Sequence, residues 1–207
     1  MIVDRSTGGK PHERDEKVTA DVGEQASDAE LAARFTRDPD SFTAVYDRYV
    51  QDIHRYAAGR LDAQSAEDVA AETFCVAFDR RDRFDPARGN LRPWLFGIAT
   101  HLVAQHRRKE ARHYQALGRM GRERAAESHD GRVAASVTAQ RMQPQLAKAL
   151  AGLSRGERDV LLLVALAQLS YEEVAEALGI SKGTVGSRLS RARMKLQKVL
   201  KKESFHG

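Results

Sequence analysis

The stretch "SYEEVAEALGISKGTVGSRLSRARMKLQKVLKK", from Ser170 to Lys202, restricts the fold more than any other part of the chain. Ser170 and Glu173 have the spacing of a capping box, in which a hydroxyl and a carboxylate satisfy the free N–H groups of a helix start. Val174, Ala175 and Leu178 follow as an apolar stripe, and Gly179 stands where a left-handed residue ends a helix. Ile180 is placed to pack back across the corner, and Ser181 is a favourable cap for the next helix. There Val185, Leu189, Ala192, Leu196 and Val199 recur at helical spacing and define a buried face. Lys182, Arg188, Arg191, Arg193, Lys195 and Lys198 are left outside, and no acidic residue occurs between Ser181 and Lys202. The first helix is instead acidic, through Glu172, Glu173 and Glu176.

A short helix, a tight turn with glycine and a longer helix with a polar face are the parts of a helix-turn-helix, whose second helix enters the DNA major groove. Lys182, Thr184, Ser187 and Arg188 lie early enough to approach base edges and nearby phosphates. Arg191, Arg193 and Lys195 lie further along, where contact with the phosphate backbone is expected. A charge run alone would equally suit a solvated face on a helical hairpin. The cap, the turn glycine, the apolar register and the one-sided charge together favour DNA.

The 207 residues, 42% hydrophobic with a net charge of +5 and a pI near 9.5, fit one or two small domains and a nucleic-acid partner. The one cysteine, Cys75 in "ETFCVAF", excludes an internal disulfide and a cysteine-rich zinc site, and a buried apolar role is expected for it. No apolar run approaches a membrane span, and the first residues lack a signal-peptide apolar region, so a cytoplasmic protein without membrane insertion is expected.

Residues 1–26 are polar, mixed in charge and expected to be disordered. From Ser27 onward the spacing predicts helices over "DAELAARF" and "DSFTAVYDRYVQDIHRYAAGRL", the latter with Phe42, Val45, Tyr46, Tyr49, Ile53 and Tyr56 on one stripe. The Asp38-Pro39 step separates them. Ser65 and Asp68 open a third helix to about Arg80, and Asn90 with Pro93 opens a fourth to roughly Arg112. No strand pattern appears. Residues 114–145 lose the apolar period and read as a flexible linker. Beyond it, Ser154 and Glu157 repeat the capping-box spacing before the apolar run "DVLLLVALAQL", against which the helix-turn-helix is expected to pack. The expected fold is therefore all-α, with two small helical domains at 27–113 and 146–207.

Three features of the first domain exceed what a core needs. In "AEDVAAETF", Asp68 and Glu72 lie one turn apart, flanked by Thr73 and Phe74, as either a solvated face or a surface for a basic protein partner. In "RFDPARGNLRPWLF", Phe84, Trp94 and Phe96 alternate with Arg83, Arg88 and Arg92, a pattern that stacks unpaired bases or simply fills a core. In "HLVAQHRRKEARH", a helix ends in positive charge, which suits phosphates but also its own dipole.

With these motifs in this order, the chain resembles the extracytoplasmic-function group of bacterial RNA polymerase sigma factors over roughly residues 28 to 202, the linker apart. The resemblance implies a non-enzymatic specificity subunit without cofactor or metal, which binds core RNA polymerase and promoter DNA. It casts Asp68, Val69, Glu72, Thr73 and Phe74 as contacts to the clamp helices of the polymerase's largest subunit. It assigns minus-ten DNA to Arg83, Phe84, Trp94, His101, Gln105, Arg107 and Arg108, and the minus-thirty-five element to Ser181, Lys182, Thr184, Ser187, Arg188, Arg191 and Arg193. An anti-sigma factor is a further partner that the resemblance allows. His101 stands where relatives often carry Asn, Gln105 where they often carry Asp, and Gly186 where a groove contact is usual. With nothing after Gly207 and only 207 residues, neither an appended regulatory domain nor the additional promoter-binding region of housekeeping sigma factors is expected.

Two other classes compete. A stand-alone helix-turn-helix transcription factor would use the same second domain, but the first shows neither a receiver's strand-helix alternation nor a ligand pocket. A metal-dependent hydrolase is suggested only by His101, His106 and His113, whose spacings miss the i,i+4 pairing of helical ligands.

Overall fold

The computed structural model describes residues 27–120 and 144–204, and every regular element among them is helical. The disorder expected for residues 1–26 and most of the 114–145 linker lie outside the described residues.

Helix α1 (Asp28–Phe35) starts at a complete capping box, Ser27 Oγ accepting from the Glu30 N–H while the Glu30 carboxylate accepts from the Ser27 N–H at 2.8 Å. A 3-10 turn at Pro39–Ser41 leads into α2 (Phe42–Ala58), which buries Val45, Tyr49, Ile53 and Tyr56. Helix α3 (Ala63–Asp79) is capped by Asp62, which accepts the Ser65 N–H at 3.0 Å, so it begins two residues before the expected Ser65. Helix α4 (Leu91–Met120) runs beyond the expected end at Arg112. It buries Leu91, Leu95, Phe96, Ala99, Leu102 and Val103 against α2 and α3. Tyr46 leaves the predicted stripe: it is 40% exposed on the outside of α2.

The second half comprises α5 (Pro144–Ala151), α6 (Arg155–Ala165), α7 (Tyr171–Leu178) and α8 (Lys182–Ser204). The boxes expected at Ser154/Glu157 and Ser170/Glu173 both form. Gly179 has φ 61°, the left-handed value that ends α7 without a Cβ penalty. The α6–α7 corner uses the same region at Gln168, φ 53°, with a side chain that does not favour it. Val185, Leu189 and Ala192 are fully buried under α8, and Leu163 and Val174 meet them from α6 and α7.

The two halves share one continuous apolar core. Helix α7 lies across α4 so closely that a Cβ on Gly97 would come within 2.7 Å of the Ala177 carbonyl oxygen. A side chain at Gly59 would likewise overlap Leu166 Cδ1. The polar part of this seam is buried: Arg60 Nη2 donates to Asp159 Oδ1 at 2.5 Å, their side chains being 3% and 7% exposed. Arg60 Nη1 donates to the Tyr56 hydroxyl. The Thr100 hydroxyl donates to the Phe96 carbonyl at 2.7 Å, which leaves it to accept from Tyr56 at 2.8 Å. At the rim the Asn90 N–H donates to Glu176 Oε1 at 2.7 Å, and Arg92 reaches both the Ala167 carbonyl and, at 3.7 Å, Glu173.

Candidate nucleic-acid interface

Ser181 closes the corner before α8 by accepting the Thr184 N–H at 3.2 Å, and its hydroxyl also lies 2.9 Å from Thr184 Oγ1. Those two polar groups are therefore engaged in forming the helix start. The Ser187 hydroxyl donates to the Thr184 carbonyl, and Lys182 forms an ion pair with Glu172, holding that carboxyl below its usual range. Lys182, Ser187, Arg191 and Arg193 are exposed. Not all of the basic side chains are unencumbered. Lys195 donates to both oxygens of Glu157, at 2.7 and 3.0 Å, and Arg191 lies 4.0 Å from the same carboxylate. Glu157 is 7% exposed, and the Lys195 ammonium with the Ser154 N–H pulls its carboxyl down to about 2. Lys195 therefore pins α8 to α6, a correction to its expected backbone role. Arg188 turns inward: its guanidinium covers Gly156 and lines a cavity with Thr100, His101 and Asp159, between the halves.

On α3, Asp68 and Glu72 are exposed one turn apart, as the spacing predicted, and Gln64 donates to Asp68 at 3.2 Å. Val69, Thr73 and Phe74 are buried at 1%, 0% and 2%, so the expectation that they touch a partner is corrected. The Thr73 hydroxyl donates to the Val69 carbonyl, and the Phe74 ring packs 4.9 Å from Tyr46. Tyr46, which the sequence placed in the core, instead covers the Phe74 ring from outside and is 40% exposed. Its register on α2 overlapped the core stripe, so periodicity could not separate it. Cys75, expected inside, is exposed beside the acidic pair.

Ahead of α4, Phe84 is buried and packs 5.1 Å from the half-buried Trp94 of α4, whose other side meets Phe35 at 6.2 Å. Phe84 lies in the core, and Trp94 packs against it at the edge while also lining a groove. Arg83, His101, Gln105 and Arg108 are exposed, with His101 Nε2 and Gln105 Nε2 2.8 Å apart. Arg107 is half-buried, and burial with Arg158 and Arg60 nearby lowers its pKa. A groove runs along α4 beside Trp94, His101 and Gln105, with Glu72 on one wall and Glu176 and Ala177 of α7 on the other. Among the described residues, no group of three or more His, Cys, Asp or Glu is placed to hold a metal, and no helix is long and apolar enough to cross a membrane.

Residues 45–113 match the Sigma-70 region 2 family and residues 144–196 match Sigma-70, region 4. The chain is 36% identical to the probable RNA polymerase sigma-C factor of Mycobacterium bovis over 144 residues, 69% of this chain and 74% of that one. It is 30% identical to the RNA polymerase sigma factor YlaC of Bacillus subtilis over 168 residues, 79% of this chain and 94% of that one. Among solved structures, CnrH in complex with the cytosolic domain of CnrY is similar with a TM-score of 0.62 and 26% identity, over 84% of this chain and 97% of that one. The sigma factor RpoE in complex with the anti-sigma factor NepR, from Bartonella quintana, is similar with a TM-score of 0.57 and 28% identity, over 78% and 98%.

Proposed function

The chain belongs to the extracytoplasmic-function RNA polymerase sigma factors, and from that premise we propose how its residues divide the work of promoter-specific initiation. As a sigma factor it binds core RNA polymerase and directs transcription initiation, which sets aside a stand-alone regulator. Sigma factors are non-enzymatic initiation factors; this chain acts in the cytoplasm and leaves catalysis to the polymerase. The boundaries proposed are 27–113 for the polymerase-binding and minus-ten part and 146–207 for the minus-thirty-five part.

Asp68 and Glu72 form the polymerase face, where exposed carboxylates meet basic side chains. Arg83, His101, Gln105 and Arg108 hold minus-ten DNA, Arg108 by phosphate contact. Lys182, Ser187, Arg188 and Arg193 read or grip the minus-thirty-five element from the start of α8. A single observation carries the reading: matches to both regions stand in order in one chain. The test is co-purification with core polymerase followed by run-off transcription on candidate promoters. Retention by the polymerase and promoter-dependent transcripts are expected; a folded protein that neither binds polymerase nor supports transcripts would refute it.

A further inference from the structure

A cavity of about 370 Å³ lies where α4, α6 and α7 meet Arg188 of α8. That volume is in the range of small-molecule sites. One wall is apolar, formed by Gly97 of α4 with Ala177 and Leu178 of α7, while the start of α6 supplies Arg155, Gly156 and Asp159 to the other. The charges around it do not balance. Asp159 is the one carboxylate on the lining among the described residues, and it is already held by Arg60 at 2.5 Å and by Arg155 at 3.6 Å. The guanidiniums of Arg60, Arg155 and Arg188 against that single carboxylate leave an excess of two positive charges.

Arg188 is the guanidinium left over. It is half-buried, yet among the described residues it has neither a hydrogen bond nor an ion pair. Its position is built by a missing side chain: a Cβ on Gly156 would come within 2.9 Å of Nη1 and 3.0 Å of Cζ, so the bare backbone is the seat on which the guanidinium lies. That seat is in the first turn of α6, whose positive end disfavours a cation. Partial burial of such a group is costly unless an anion accepts from its N–H donors.

We propose that this cavity binds a small phosphorylated anion, its phosphoryl group held between Arg188 and Arg155 and its remainder lying against Ala177 and Leu178. A phosphoryl group carries a charge of about −2 near neutral pH, which matches the excess, and its terminal oxygens can accept from two guanidinium forks at once. Occupancy engages the guanidinium that is also assigned to the minus-thirty-five element, so the anion and the promoter compete for Arg188. That consequence rests on the sigma-factor reading above; the binding itself does not.

Calorimetric titration of the full chain at constant ionic strength, with inorganic phosphate, pyrophosphate and adenosine monophosphate in turn, tests the site. Saturable one-to-one binding of at least one of them is expected. Equal affinity for phosphate and adenosine monophosphate would identify free phosphate as the occupant, and tighter binding of the nucleotide would identify a phosphorylated metabolite that uses the apolar wall. Arg188→Gln is expected to weaken binding about tenfold, as loss of a hydrogen bond to a charged group does. Lys198→Gln removes the same charge from the exposed side of α8 and is expected to leave the affinity unchanged. Gly156→Ala keeps every charge but drives the guanidinium off its seat, and weaker binding is expected there too.

No saturable binding of any of the three anions would overturn the proposal. Equal losses in Arg188→Gln and Lys198→Gln would do the same, because they would indicate a diffuse ion atmosphere rather than a site. If Arg188→Gln loses its helical circular dichroism, Gly156→Ala decides: unchanged affinity in that variant overturns the site. A minus-thirty-five duplex whose binding Arg155→Gln weakens more than that of the small anions would assign the cavity to the DNA backbone instead. Failure of the parent chain to bind polymerase would refute the sigma-factor reading and leave the anion site standing.

Discussion

Asp68 and Phe74 stand six residues apart on α3 and act in opposite ways, because one is exposed and the other is 2% exposed. Asp68→Arg with Glu72→Arg is expected to leave the fold intact and weaken core-polymerase binding through lost pairing and new repulsion. Titration of the folded double variant with core polymerase checks this, and an unchanged affinity would remove the assignment. Phe74→Ala, by contrast, is expected to cost about 3–5 kcal/mol of stability in a denaturant melt, because it opens a cavity under Phe42 and Tyr46. On α4 the same distinction separates Arg108, which is exposed, from Arg107, which is half-buried. Arg108→Ala is expected to lower affinity for single-stranded minus-ten DNA, with the loss shrinking as salt rises, as phosphate contacts do. A salt-independent loss would indicate a refolded helix end instead.

At the level of elements, Glu157 does two jobs: it completes the α6 capping box with Ser154 and receives Lys195 from α8. Its carboxyl is held down to about 2 in the folded chain against about 4.3 in an unfolded one. A depressed folded value means that the stabilisation is complete above the unfolded pKa and is lost as pH falls toward the folded one. Urea unfolding between pH 7 and pH 2 is therefore expected to show a wild-type decline below about pH 4.3 that is shallower in Glu157→Gln. Equal slopes in the two proteins would show that the carboxylate does not titrate with folding. The starts of α6 and α7 were legible because hydroxyl-to-carboxylate boxes at Ser154 and Ser170 are local, three-residue signals. Gly179 was legible for the same reason, whereas the α6–α7 corner hides behind Gln168, a residue that does not announce a left-handed turn. In the candidate site, spacing identified the exposed pair Asp68 and Glu72 but could not tell Tyr46 from its core neighbours, or Lys195 from a phosphate contact. Both distinctions depend on residues distant in sequence, Phe74 for one and Glu157 for the other.

The whole molecule depends on a seam whose residues carry no local pattern: Arg60 and Asp159 are 99 positions apart, and neither stands out on its own helix. A buried ion pair contributes little net stability compared with apolar residues of similar size, yet loss of one partner leaves a charge without compensation and costs about 3–5 kcal/mol. Asp159→Ala would leave Arg60 in that position. Each half retains its own apolar contacts around α2–α4 and α6–α8, so the cost is expected to appear as separation of the halves rather than as global unfolding. Trp94, the only tryptophan in the sequence, lines the groove that α7 closes and reports the change. Asp159→Ala is expected to keep its helical circular dichroism, shift its tryptophan emission to the red and increase in radius by small-angle scattering. Arg60→Met combined with Asp159→Leu removes both charges and keeps apolar volume, so it is expected to return the compact radius. If the single variant stays compact with unchanged emission, the ion pair is not what holds the halves together; if the double variant stays open, geometry specific to the charged pair, rather than the burial of an unpaired charge, closes the seam.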